Sequence, residues 1–397
     1  MWKGSWRSGK ALDLSTEETK LVGYMSGNIA DRKVEALLLL LRAGLWEKEL
    51  EDLSIFPLSA DDWTEIFRMA RRQTVTGIVY RGLCRLPDRL LPPESVLFPW
   101  VATVERIERS NRWMNAVLLG LYRRCYSVGV EPVLQKGQGV ALLYEQPWVR
   151  ECGDIDLYFS SPEDSEKVFR LVNGADGPMK RMPDGSLTYT CRGVTVEHHE
   201  RLMDLYNPFI QPALASLEQV QPSRRIRLSL EDQTEIIVPS ALTNLILLDV
   251  HILKHALGWG IGLRQLCDMA RACYKLRHEV DAAEMQTVCA KLGLKKWNRL
   301  LYAFLVRYLG LPMECLPYAD MDQSAGALLE IVLRGGNFGY QQSGRAAHAG
   351  WSRKWWTLSS FLRNLRFTSR YAPMEGWGTV TRLVVGQFGL SDREIKK

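Results

Sequence analysis

A stretch of seven residues, Gly153-Asp154-Ile155-Asp156-Leu157-Tyr158-Phe159, carries the densest chemical signal in the chain. On an extended strand, residues two apart point the same way. Asp154 and Asp156 therefore present two carboxylates side by side, while Ile155 and Leu157 enter a core. Adjacent like charges are costly unless a cation lies between them. Hard oxygen donors of this kind suit Mg2+, which is held by one or two carboxylates together with substrate phosphates. A third acid is expected from a second strand, Val194-Thr195-Val196-Glu197-His198-His199, where Glu197 and His199 share one face and Val194 and Val196 the other. Asp154, Asp156 and Glu197 on adjacent strands are then candidate catalytic carboxylates and metal ligands. They would hold two ions about 3.5–4 Å apart, which clamp the attacking and leaving oxygens of an in-line displacement at phosphorus. Upstream, Leu134-Gln135-Lys136-Gly137-Gln138-Gly139 reads as a strand, a Gly-rich turn and a short helix over residues 136–143. Backbone N–H groups of such a turn, at Gly137 and Gln138, can receive a phosphate, and Lys136 adds positive charge.

The elements that must position these residues follow from periodicity. From about residue 30 to 128 the apolar spacing is helical: Val34, Leu37, Leu38 and Leu41, then a run from Trp63 to Leu83, then a long helix from Val101 to Tyr126. Ser59 with Asp62 caps the second run. Between 130 and 239 the texture changes to short β-rich runs, with strands expected at 133–136, 155–159, 187–190, 194–199, 226–230 and 236–238. Ser161-Pro162-Glu163-Asp164 starts a helix over about 162–172. After Pro239 the helical period returns, over 242–259, 263–276, 282–292, 296–309 and 327–333. The expected fold class is α+β, a small mixed β-sheet core over 130–239 flanked by helical regions at 28–129 and 240–340. Residues 1–27 read as a flexible leader and 341–397 as a basic aromatic tail.

Lys-Gly, then Arg150, then Asp-x-Asp on a strand, then Glu-x-His on a later strand resembles the little-characterised bacterial nucleotidyltransferases of the DNA polymerase β superfamily. The resemblance is clearest over 130–270, including Val238-Pro239-Ser240, His251, Lys254-His255, Arg264 and Asp268. It implies metal-binding roles for Asp154, Asp156 and Glu197, a phosphate-binding turn beginning at Gly137, and cleft positions for Lys136, Arg150, His199 and His255. It further implies Mg2+, two ions with NTP bound, and transfer of an NMP from an NTP with release of pyrophosphate. The acceptor is not legible and could be a small molecule, a protein or RNA. The superfamily usually has Gly-Ser at the turn where this chain has Gly137-Gln138. That change removes a hydroxyl that commonly orients the triphosphate.

Competing readings are specific. An isolated Asp-x-Asp is frequently a solvated strand end, so the assignment rests on its combination with the Lys-Gly turn, Arg150 and Glu197. No thiolate or second histidine is placed to complete a zinc set around His199, which therefore reads as an orienting residue, and zinc is not expected. His251 and His255 have the i, i+4 spacing of zinc sites, but Ile252 stands where the HExxH motif needs glutamate, and packing or cleft lining is the better reading. Arg264 and Asp268 have the spacing of a helix ion pair. A catalytically silent nucleotide-binding or regulatory protein is the alternative to an enzyme. A third reading is an interaction protein that works through its tail.

Composition bounds the rest. With 46% hydrophobic and 24% charged residues the chain is globular, and global disorder is excluded. Eight cysteines without CxxC spacing read as reduced thiols of a cytoplasmic protein. The net charge of +6 is uneven, since residues 341–397 hold ten Lys or Arg against three acids. Trp351, Trp355, Trp356, Phe361, Phe367, Tyr371 and Trp377 are interleaved with them. Residues 351–371 therefore suit an anionic membrane surface, with peripheral placement at its inner face. The alternative is a docked amphipathic helix whose aromatics pack on the body while its arginines face water.

Overall fold

The computed structural model describes residues 29–174, 181–182, 185–203, 205–219, 223–228, 232–258, 260–335 and 365–378. The expected leader and most of the expected tail lie outside these residues. The helices are α1 (Ile29–Trp46), α2 (Ala60–Arg72), α3 (Thr76–Leu83), α4 (Glu94–Ser127), α5 (Gln138–Ala141), α6 (Pro162–Asn173), α7 (Gln211–Gln219), α8 (Ala241–Leu257), α9 (Leu263–Leu276), α10 (Ala282–Lys291), α11 (Lys295–Leu309), α12 (Gly326–Gly335) and α13 (Leu365–Tyr371). The strands are β1 (Val133–Leu134), β2 (Ile155–Tyr158), β3 (Leu187–Cys191), β4 (Val194–His199), β5 (Ser223–Arg227) and β6 (Glu235–Pro239). They form one mixed sheet in the order β3-β4-β2-β1-β6-β5. The fold is α+β, as the change of period along the chain predicts.

Two buried cores organise the molecule. One lies under the sheet, where Ile155, Leu157 and Val196 meet Val168 and Phe169 of α6 and Leu118, Leu121 and Tyr122 of α4. The other is helical and joins the helices before the sheet to those after it, packing Leu37, Leu40 and Leu41 of α1 with Ile246 of α8, Leu266 of α9 and Leu300 and Phe304 of α11. Helix α4 serves both: Val96, Trp100 and Val104 enter the helical core, and Met114 to Cys125 the sheet core. At about 1.5 Å per residue this 34-residue helix reaches from the sheet to the bundle.

Local chemistry explains the element ends. Ser59 and Asp62 form the expected capping box at α2, both hydrogen bonds being present. Ser161 caps α6 by accepting from the Asp164 amide. The single run expected from Trp63 to Leu83 is instead two helices, because Thr74 takes φ +52° and breaks the ladder between α2 and α3. Helices α1 and α3 cross so closely that a Cβ on Gly44 would lie 1.8 Å from the Ile78 carbonyl oxygen, and one on Gly82 1.9 Å from that of Leu40. Helix α7 lies within the stretch whose texture predicts strands and is a difference from that expectation. The strand expected at 226–230 lies earlier, at β5, where antiparallel pairing sets Arg225 opposite Ile237 at the sheet edge.

In the tail, α13 packs on α11: Thr368 and Tyr371 are buried while Arg366 and Arg370 are exposed. Over these residues the docked amphipathic arrangement is the one present. All eight cysteines are free, five of them buried. Among the described residues no helix is long and apolar enough to cross a membrane.

Candidate active site

Strands β2 and β4 run parallel and adjacent, with Asp156 in register with Glu197 and Tyr158 with His199. Ile155, Leu157 and Val196 point into the sheet core, so alternation turns Asp156, Glu197 and His199 to the opposite side. There a cleft of about 310 Å3 opens between the sheet and helices α8 and α9. Asp154 stands one residue before β2, half-buried, and lines the same cleft.

The three acids are not equivalent. Asp156 has a side chain only 6% exposed, with its Oδ1 2.9 Å from His199 Nε2 and its Oδ2 3.3 Å from Lys136 Nζ. Burial alone would push its carboxyl up. The Lys136 charge and the His199 contact outweigh that and hold it well below the usual range. The Asp156 charge, followed by burial, pushes Asp154 up, against the pull of Lys136, Arg264 and Arg150. Burial, then Asp156 and Asp154, raises Glu197. Asp156 is thus the most acidic of the three, and its charge opposes ionisation of the other two.

Asp156, Glu197 and His199 bring ligand atoms within 4.8 Å of one another. Two carboxylates and an imidazole are a donor set that fits a divalent ion. Asp154 lies outside that group of three.

The cationic residues around the cleft differ in how far the scaffold engages them. Arg150 is buried and donates from Nη2 and Nε to Asp268 at 2.6 and 3.0 Å, with Tyr144 Oη donating to the same carboxylate at 2.8 Å. Its Nη1 donates to the Glu151 carbonyl. Its guanidinium edge is therefore spent on the scaffold, although the residue lines the cleft. The ion pair expected between Arg264 and Asp268 is not present among the described residues, because Arg150 takes the carboxylate from the opposite wall. Arg264 donates to the Glu151 carbonyl at 2.8 Å, its Nε is buried without a partner, and it lines the cleft facing the acids. Burial and then the neighbouring Arg150 charge pull its guanidinium down from its ordinary value. Lys254 and Arg201 complete the basic lining. Lys254 belongs to the Lys254-His255 pair that carries part of the sequence resemblance, whereas no sequence signal marks Arg201. Those two histidines both line the cleft and pack edge to face at 4.4 Å.

The turn after β1 depends on Gly137. Its φ of +62° is open to glycine and strained for other residues, and a Cβ there would lie 3.5 Å from the Asp154 carbonyl oxygen. Gly137 lines the cleft. The Gln138 side chain is buried, its amide finds no hydrogen-bond partner among the described residues, and it does not line the cleft. The helix that follows is a single turn, α5.

No curated protein and no solved structure matches the chain. A family model described as uncharacterised nucleotidyltransferase matches residues 59–310, which take in the sheet, the acidic cluster and helices α8 and α9. The chain belongs to that nucleotidyltransferase family.

Proposed function

We propose that the protein is a divalent-metal-dependent nucleotidyltransferase that moves an NMP from an NTP to an acceptor, releasing pyrophosphate. The acceptor oxygen would bond to the α-phosphorus as the bond from that phosphorus to the bridging oxygen breaks. Pyrophosphate leaves with that oxygen, and the acceptor proton passes to a base or to water. The observation that carries this reading is the registered pair of Asp156 and Glu197 on adjacent parallel strands, with Asp154 beside them, facing a cleft whose other wall is basic. The likeness to polymerase β-type enzymes in the Asp-x-Asp and Glu-x-His pattern supports it.

Phosphoryl chemistry asks a protein mainly for positioning and charge neutralisation. Asp154, Asp156 and Glu197 would hold divalent metal, with Mg2+ as the ion that accompanies the NTP. Bound there, metal supplies Lewis-acid stabilisation of the phosphoryl oxygens and a more acidic acceptor hydroxyl. Lys136 keeps Asp156 ionised and places a positive charge next to the Gly137 turn. Burial and the neighbouring acids push the Glu197 carboxyl up, so its ionised form would be a stronger base for the acceptor's proton than an exposed glutamate. Arg264 and Lys254, which line the facing wall of the cleft, would neutralise a departing pyrophosphate.

The test is incubation of purified protein with labelled NTPs and divalent metal, alone and with cell extract, reading pyrophosphate release and the labelled product. Release that requires metal and is lost in Asp156→Asn is the expected result. Nucleotide binding without release under every condition would favour a silent binding protein and overturn the proposal.

A further inference from the structure

We propose that His199 is a metal ligand, and that the cluster it completes with Asp156 and Glu197 is a resident site for a divalent transition ion in preference to Mg2+. This rests on the cleft's assignment as a metal site in the nucleotidyltransferase reading, and it departs from an all-carboxylate Mg2+ set.

Three observations carry it. His199 Nε2 lies 2.9 Å from Asp156 Oδ1 and 3.6 Å from Glu197 Oε2. A metal about 2.0–2.2 Å from each donor places neighbouring donors roughly 3.0 Å apart in an octahedron and roughly 3.4 Å apart in a tetrahedron, so the measured separations bracket both geometries. Second, the two oxygens of Asp156 are divided: Oδ2 faces Lys136 and Oδ1 faces His199. Lys136 therefore engages the other oxygen, and an ion entering between Oδ1 and Nε2 would replace their hydrogen bond as the proton on Nε2 leaves to solvent. Third, Asp154 stays outside the group of mutually close donors, so the set that the strands bring together is two oxygens and a nitrogen. Its register is built in, since Asp156 pairs with Glu197 and His199 follows two residues along the same strand.

The donor chemistry then selects the ion. Mg2+ prefers oxygen and retains several waters, whereas imidazole nitrogen is a normal ligand for first-row transition ions. The other side of the sheet offers a contrast. His198 is buried between Ser165 Oγ and Tyr189 Oη, at 3.2 and 2.9 Å, and has no carboxylate near its ring nitrogens among the described residues. Of the two adjacent histidines, the alternation of the strand delivers His199 to the acids.

The test uses full-length protein freed of metal by chelation and titrated with Mn2+, followed by electron paramagnetic resonance. Bound Mn2+ is expected to show coupling to a nitrogen nucleus, and this is lost in His199→Gln. Mg2+ should displace Mn2+ only at about 100-fold or greater excess, and Zn2+ at near-stoichiometric amounts. His199→Gln should cut the preference for Mn2+ over Mg2+ by about tenfold or more while leaving the melting curve intact. Bound Mn2+ without nitrogen coupling, equal competition by Mg2+, or absence of Mn2+ binding would each overturn the proposal. Pyrophosphate release is scored separately on the same preparations. Nitrogen-coupled Mn2+ without transfer would sink the transferase reading alone, and transfer without nitrogen coupling would sink this inference alone.

Discussion

Arg150 and Asp268 form a two-pronged ion pair across the floor of the cleft, at 2.6 and 3.0 Å, joining the segment before β2 to helix α9. Both side chains are almost wholly buried. Removing one partner of such a pair leaves an uncompensated charge and costs about 3–5 kcal/mol. Asp268→Ala should therefore lower the urea midpoint strongly. The double variant Arg150→Met, Asp268→Leu should recover much of the loss. An unchanged midpoint in Asp268→Ala would show that the pair does not join the two walls.

Asp156→Asn and Glu197→Gln keep side-chain size and remove the metal-binding charge. Each is expected to reduce pyrophosphate release by about 100-fold or more with circular dichroism unchanged. Asp154→Ala should likewise abolish transfer without unfolding, because it lines the cleft from a half-exposed position. Substantial activity in the double variant Asp154→Ala, Asp156→Ala would sink the carboxylate assignment.

Arg264 is predicted to bind substrate phosphate, since its Nε lacks a partner and it lines the cleft. Arg264→Gln should weaken tripolyphosphate binding, measured by calorimetry, by about 10- to 100-fold, matching a lost charge-assisted hydrogen bond of about 1.5–3 kcal/mol. Equal binding by both proteins would reassign Arg264 to the scaffold.

Asp249, on α8 but not part of the cleft lining, gives a separate pH signature. It is fully buried in α8, accepts from Trp297 Nε1 at 2.6 Å, and lies in the helical core near Asn298, Tyr302, Tyr318, Cys273 and Cys289. Burial pushes its carboxyl up to about 7, against the bonds from Trp297 and Asn298. From about pH 4 to pH 7 the unfolded chain has released this proton while the folded chain retains it. Stability contributed by this group therefore falls as pH rises, by up to about 1.4 kcal/mol per pH unit. Asp249→Asn should flatten the difference between denaturation midpoints at pH 5 and pH 7. The same slope in both proteins would refute the assignment.

The C-terminal segment is predicted to be structural over its described part. Phe367 meets Trp297 edge to face at 6.2 Å, and the Glu375 carboxylate accepts from the Tyr206 and Asn207 amides at 2.7 and 2.9 Å. A chain ending at Gly344 should melt at lower temperature and aggregate. Membrane affinity is better tested by Arg366→Glu with Arg370→Glu, since both arginines are exposed. At about 1 kcal/mol per basic residue, this double change should reduce co-sedimentation with anionic vesicles by tenfold or more at low salt. No change would place any such affinity elsewhere.

Features that rest on local periodicity and local chemistry are legible from residue order alone. Alternation over Ile155–Phe159 and Val194–His199 placed carboxylates on one face and aliphatics on the other. The Ser59–Asp62 box and the Ser161-Pro162 start marked where α2 and α6 begin. The change from a period of 3.6 to one of two located the sheet. All of these follow from backbone geometry within a few residues.

Tertiary structure decided the pairings that no local rule constrains. Asp268 lies four residues after Arg264, the right spacing for an ion pair, yet it is claimed by Arg150 from 118 positions away. A carboxylate goes to whichever guanidinium the packing of two walls brings into bidentate register. His199 reads as an orienting residue when strands are considered singly, and it becomes a metal donor candidate only once β2 lies parallel to β4 with Asp156 opposite Glu197. The close crossing of α1 and α3 at Gly44 and Gly82 is of the same kind, since each glycine is needed only because another helix's carbonyl arrives there. Contacts between distant segments depend on the whole fold, and in this molecule they set which charges face the cleft and which are spent holding it together.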